Sequence, residues 1–257
     1  MNAPSTHNPS LLLALETSGS SLGVALRGPD DLLFEENVTA GALHGAALAP
    51  LIRKALASQQ LAPAALEAVA VSLGPGSWTG LRIGLSAAKA LAWGAGIGLA
   101  GVPSFEAFAL EAGRQAPGHA RLLVRDARSE GLFAALFNDQ SAETERWLEE
   151  TVLRPAELIA AVETELRARS NVPLAIAGDR VCLDALAEAA QRHGWRVLAE
   201  CAHIPAGAVA ECGWRRLERG AVLREAAEIH KLAPLYLRAS DPQLKLERKL
   251  RAQALGT

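Results

Sequence analysis

Gly74-Pro75-Gly76-Ser77-Trp78-Thr79-Gly80 joins an apolar run to a helical one, so several backbone N–H groups gather at a helix N-terminus, where an anion can be held. No lysine follows these glycines and Thr79 stands where a third glycine would be needed, which excludes both the P-loop and the dinucleotide fingerprint. A plain tight turn, with Thr79 as N-cap and Gly76 at positive φ, fits the same residues. Glu16 ends the first apolar run just before Thr17-Ser18-Gly19. That is the place for an acid facing a phosphate or a metal, or for one that caps its own turn. Glu16, Gly74, Gly76, Ser77, Thr79 and Gly80 make up a candidate phosphate or nucleotide loop. Its counterpart in the second half, Ala177-Gly178-Asp179-Arg180, has one glycine and a carboxylate that would repel phosphate unless Arg180 offsets it.

Other chemistries find little footing. No Gly-x-Ser-x-Gly elbow surrounds Ser18, Ser77 or Ser86, which argues against a serine hydrolase. The six histidines lie far apart, none paired at three or four residues, so no helix carries a metal site. Cys182, Cys201 and Cys212 are an odd number without a Cys-x-x-Cys pair, which speaks for a reducing compartment and against a disulfide framework or structural zinc. Distant residues could converge in space, but no spacing here points to a catalytic residue, a metal ligand or a cofactor.

The elements that must position the turn follow from periodicity. Three short apolar or alternating runs, Leu11–Thr17, Leu22–Leu26 and Leu32–Glu36, predict antiparallel strands. They precede a helix over 42–59, a strand over 66–73, a helix over 79–94 and a strand over 97–102. After a short helix to about Gly113 and a hinge at Ala116-Pro117-Gly118, the theme restarts. Strands are expected over 121–126, 131–137 and 144–148, a helix over 155–168, a strand over 173–177, a helix over 181–193, a strand over 195–199 and a helix over 205–219. At 257 residues, two lobes are expected: 1–115, joined by a helix from about 205–220, and 116–257. Half the residues are hydrophobic and 21% charged, enough for a sizeable core, and a net charge of -2 gives no reason to expect a broad nucleic-acid-coating surface. The tail 238–251 sets Arg238, Lys245, Arg248, Lys249 and Arg251 against Asp241 and Glu247, a solvated face or a local contact to an RNA backbone. A polar start and no run of about 18 apolar residues predict a soluble, cytoplasmic protein.

The two first-lobe helices look more apolar than one sheet requires. On 79–94 the polar residues Arg82, Ser86 and Lys89 make one narrow stripe, and on 42–57 only His44, Arg53 and Lys54 are strongly polar. Gly80, Gly84 and Ala88 recur every four residues, a spacing that permits close helix–helix approach. A partner interface is therefore expected through Leu43, His44, Ala47, Leu48, Leu51, Arg82, Leu85 and Lys89.

Taken in order, Leu11–Leu26, the string from Ser72 to Gly84, Gly101-Val-Pro-Ser104, Asp126-Ala-Arg128 and Pro234-Leu-Tyr-Leu-Arg238 resemble the TsaB (YeaZ) family over nearly the whole chain. The resemblance implies an α/β, actin/Hsp70-like (ASKHA) fold of two lobes, each a mixed sheet flanked by helices. It also implies a non-catalytic role in making threonylcarbamoyladenosine beside the tRNA anticodon. The implied partners are the catalytic paralogue TsaD and the ATPase TsaE, with a homodimer through the same helices and an indirect tRNA contact as further expectations. TsaD carries a His-x-x-x-His metal motif whose two positions fall on Ser104 and Phe108 here, neither a competent transition-metal ligand. An actin-like kinase and a glycoprotease-type metallopeptidase are the alternatives.

Overall fold

In the computed structural model of the chain, residues 10–39, 44–128, 131–138, 145–169 and 172–237 are described. The first lobe runs β1 (Leu12–Glu16), β2 (Ser21–Arg27), β3 (Leu32–Thr39), α1 (His44–Ser58), β4 (Ala68–Ser72), α2 (Trp78–Ala95) and β5 (Gly98–Val102). Helix α3 (Ser104–Gln115) leads into β6 (Ala120–Asp126), β7 (Leu132–Phe137), β8 (Arg146–Leu153), α4 (Pro155–Ala168), β9 (Leu174–Gly178), α5 (Arg180–His193) and β10 (Arg196–Val197). Helices α6 (Ala206–Glu218) and α7 (Ala226–Lys231) follow.

Each lobe holds a five-stranded mixed sheet, ordered β3-β2-β1-β4-β5 and β8-β7-β6-β9-β10. In both, the first strand pairs antiparallel with the second and parallel with the fourth. The same unit is thus built twice, the actin-like α/β architecture. The duplication reaches the helix ends: α2 and α5 both stop at a left-handed glycine, Gly96 at φ 67° and Gly194 at φ 66°.

Strand β1 is buried on both faces, and alternation sorts its side chains. Leu13 and Leu15, with Val69 and Val71 of β4, enter a core with α1 and α2. Leu12 and Ala14, with Ala68 and Ala70, face the opposite core, which also holds α3, α6 and the interlobe side of the second sheet. Alanines on that side let α6 lie close, and a Cβ on Gly213 would sit 2.5 Å from the Ala70 methyl. Proline at its N-cap offers no side-chain acceptor, so β3 supplies the caps. Asn37 Oδ1 accepts from Ala206 N at 3.0 Å and Glu35 Oε1 from Gly207 N at 2.9 Å. Arg216 of α6 clamps Glu106 of α3 through two bonds of 2.8 and 2.7 Å, and this bidentate carboxylate partner raises the Arg216 pKa further.

Some boundaries differ from expectation. Strand β8 runs on to Leu153, because a half-buried edge strand tolerates Glu149 and Glu150, and β10 shrinks to two exposed residues. The tail 238–251, and with it the anticipated RNA contact, lies outside the described residues.

Candidate functional site

The two lobes face each other across an open cleft of ≈ 690 Å³. From the first lobe come Ser18, Gly19, Ser77 and Thr79, and from the second Arg125, Asp126, Arg128, Asp179 and Arg180. Of the expected loop residues, Gly76, Ser77 and Thr79 line the cleft, whereas Glu16, Gly74 and Gly80 are not in its lining. Glycine is required there by close approach: a Cβ on Gly76 would overlap the Ser18 carbonyl, and one on Gly80 the Thr17 carbonyl. Gly84 is likewise held against Thr17 Oγ1, so the glycines spaced at four seat α2 on the β1–β2 turn, not on a partner helix. The N-cap is Ser77, whose Oγ accepts from Gly80 N at 3.2 Å, in place of Thr79. The left-handed residue is Gly74 (φ 108°), in place of Gly76.

Glu16 proves to cap its own turn. Its Oε1 accepts from Ser18 N at 2.6 Å and from the Ser18 hydroxyl. The second lobe repeats the device, with Asp126 Oδ1 accepting from Arg128 N at 2.7 Å. Asp179, anticipated as an obstacle to phosphate, accepts from Asp126 N at 2.9 Å and so ties the end of β6 to the start of α5. Arg180 pairs with Asp184 at 2.8 Å, one helical turn on.

The positions that would hold a metal are otherwise engaged. Ser104 is fully buried, its Oγ accepting from Gly74 N at 2.9 Å and its N–H donating to the Gly74 carbonyl at 2.7 Å. Phe108 is buried under the guanidinium of Arg125, 5.6 Å from ring centroid to Cζ. A spent hydroxyl, a phenyl ring and a resident cation do not fit a metal ion. Among the described residues no group of three His, Cys, Asp or Glu converges, and the cleft lining carries neither histidine nor cysteine. All three thiols are buried in the cores, and burial pushes each up to about 12. Near neutral pH they are protonated and shielded, so Ellman's reagent should titrate no thiol within minutes in the native protein and three after unfolding.

A family model described as "TsaD: tRNA N6-adenosine threonylcarbamoyltransferase" matches residues 38–241. Over 236 residues, 91% of this chain and 96% of the other, the sequence is 29% identical to tRNA threonylcarbamoyladenosine biosynthesis protein TsaB of Bacillus subtilis (strain 168). The chain belongs to the TsaB (YeaZ) branch of the TsaD family. A shorter match, 36% identical over 100 residues, covers 38% of this chain and 41% of the protein of the same name from Haemophilus influenzae. The solved structure of YeaZ from Pseudomonas aeruginosa shares the fold, with a TM-score of 0.70 at 23% identity over 89% of this chain and 100% of that one.

In this TsaB-family chain the expected interface needs correction. Leu48, Leu51 and Leu85 are 2%, 6% and 5% exposed and belong to the lobe's own core, since α1 and α2 turn their large apolar residues onto the sheet. Arg82 and Lys89 serve the segment after α7 and α7 itself. Arg82 Nε donates to Tyr236 Oη at 3.0 Å, and Lys89 Nζ to the His230 carbonyl at 2.7 Å. Tyr236 stacks on Trp78 at 3.8 Å, and Leu235 N donates to the Leu73 carbonyl at 2.7 Å, so this strap covers one flank of α2. Ala47 is half-buried, His44 opens α1, and Leu43 lies outside the described residues. What the helices show outward is mixed: Ala46, Ala49, Pro50, Arg53 and Lys54 on α1, and Arg82, Ser86 and Ala90 on α2 with Ile83 and Ala87 half-buried. At the end of α2, Trp93 is 78% exposed.

Sequence reasoning missed Arg125 and Tyr236. The signal for Arg125 was a charge directly after the apolar Leu122-Leu123-Val124, in a strand buried enough that a charge has to find a partner.

Proposed function

We propose that the chain is a non-catalytic subunit of the assembly that transfers a threonylcarbamoyl group to the tRNA adenosine beside the anticodon. It binds a TsaD-type catalytic partner through the outer face of α1 and α2, and a TsaE-type ATPase joins them. The single observation that carries this is Trp93, 78% exposed at the end of α2, the kind of large side chain that anchors an interface. Support for the absence of catalysis comes from Ser104 and Phe108, which stand where the paired metal-binding histidines would be, and from a cleft lining, among the described residues, without histidine or cysteine.

The test is co-purification with the TsaD of the same organism, scored for tRNA modification. The chain alone should modify nothing, and the pair, with the ATPase, should modify tRNA. Trp93→Ala should weaken association at least about tenfold, in the range of interface hot spots, at little cost in stability. Failure to associate at micromolar concentration, or a self-dimer that excludes TsaD, would sink the idea.

A further inference from the structure

Arg125 is 4% exposed on the floor of the cleft, an expensive place for a cation. Its parity explains why it is there. Along β6, Leu122 and Val124 enter the second lobe's own core, while Leu123 takes the opposite face toward the first lobe. Residue 125 shares that second parity, so a chain that places an arginine there sends it between the lobes. The guanidinium reaches under the β1–β2 turn. Nη1 donates to Ser18 Oγ at 2.9 Å, and Nη2 lies 3.1 Å from where a Cβ on Gly19 would be. Ser18 in turn donates to the buried carboxylate of Glu16. An anion and a cation, each almost wholly buried and on opposite lobes, are thus two hydrogen bonds apart. Each also keeps one polar atom, Glu16 Oε2 and Arg125 Nε, without a hydrogen-bond partner among the described residues. Asp126 and Asp179 are the other carboxylates close by, each with a backbone N–H as partner.

We infer that the guanidinium of Arg125, seated on Phe108, is a built-in cation that neutralises Glu16 and closes the cleft floor, doing inside this chain what a bound metal ion would otherwise do between the lobes. The carboxylate on the first lobe is then balanced permanently, and the lobes keep their spacing without any ligand.

The test is a set of variants of the full chain followed by thermal unfolding. Arg125→Met removes the charge, fills most of the space and leaves Glu16 uncompensated. A melting temperature lower by roughly 5–15 °C is expected, the range for breaking a buried pair in a protein of this size. Glu16→Gln combined with Arg125→Met should recover most of that loss, because no lone charge remains. Arg125→Ala opens a guanidinium-sized vacancy, so millimolar methylguanidinium, or magnesium drawn by the freed carboxylate, should raise its melting temperature while leaving wild type and Arg125→Met unchanged. If Arg125→Ala fails to fold, the Met series decides alone. Additive losses in the double variant, or an Arg125→Met protein as stable as wild type, overturns the inference. So does an Arg125→Ala protein that folds and responds to neither cation.

Discussion

Leu85→Glu should leave no folded protein, whereas Ala90→Glu, five residues on along the same helix, should fold normally and fail only at the partner. Leu85 is 5% exposed and packs with Leu48, Leu51 and the valines of β4. Truncating such a leucine to alanine alone costs about 2–5 kcal/mol, and an unpaired carboxylate in its place costs more again. Against a total stability of roughly 5–15 kcal/mol, that is most or all of what holds the lobe together. Ala90 and Ala49 are exposed, so a glutamate there meets water in the isolated chain and should move the melting temperature by no more than about 2 °C. In a complex the same carboxylate would be trapped against a close-packed helix. Association with the TsaD-type partner should then fall by about a hundredfold or more, the range for an unpaired charge in an interface core. Soluble expression with circular dichroism reads the first effect, and calorimetric titration of the partner reads the second. A Leu85→Glu protein that folds and merely loses binding would restore the interface read from periodicity alone.

That contrast shows where the sequence was legible and where it was not. The apolar runs placed β1, β4 and β9 correctly, because a strand covered on both faces is apolar along most of its length and such a run is hard to mistake, and β6 was found by its central Leu122-Leu123-Val124 although it carries Arg121 and Arg125. The repeated order of elements was readable for the same reason, and the family resemblance named the architecture. What did not come through is which apolar residues of a helix face inward. Leu48, Leu51 and Leu85 are as apolar on paper as an interface would be, and only the packing shows that the sheet takes them all and leaves smaller or polar residues such as Ala49, Arg53 and Ala90 outside. The polar stripe of α2 misled in the same way. Arg82 and Lys89 look poised for a partner, yet Tyr236, 154 residues downstream, and the His230 carbonyl of α7, 141 residues downstream, occupy them, distances over which local pattern carries no information. The glycine-rich turn was found from composition, but the reason for its glycines was not, since the carbonyls of Thr17 and Ser18 that forbid a side chain belong to a different turn.

Those carbonyls make the second large effect. Gly80→Val should collapse the first lobe, although valine is a tolerable helix residue and position 80 holds no apolar side chain to lose. A Cβ at residue 80 would lie inside van der Waals contact of the Thr17 carbonyl oxygen and close to Ser77 Oγ at 3.2 Å, so α2 would have to lift away from β1. Lifting it uncovers Leu81, Leu85 and Ala88, all buried, and removes the Ser77 cap from Gly80 N. Overpacking of a well-packed site typically costs about 1–3 kcal/mol when flexible side chains give way. Here the obstacle is the backbone carbonyl that directly follows β1, which cannot swing aside as a side chain can, so the loss should reach the upper end or exceed it. A melting temperature lower by about 10 °C or more is expected at a domain of this size. Gly94→Ala is the control: a Cβ there meets nothing within 4 Å, and alanine is the better helix former, so a neutral or slightly stabilising result is expected. Equal melting temperatures for Gly80→Val and wild type would mean that α2 is not seated on the β1–β2 turn, and the geometry drawn for the cleft would fall with it.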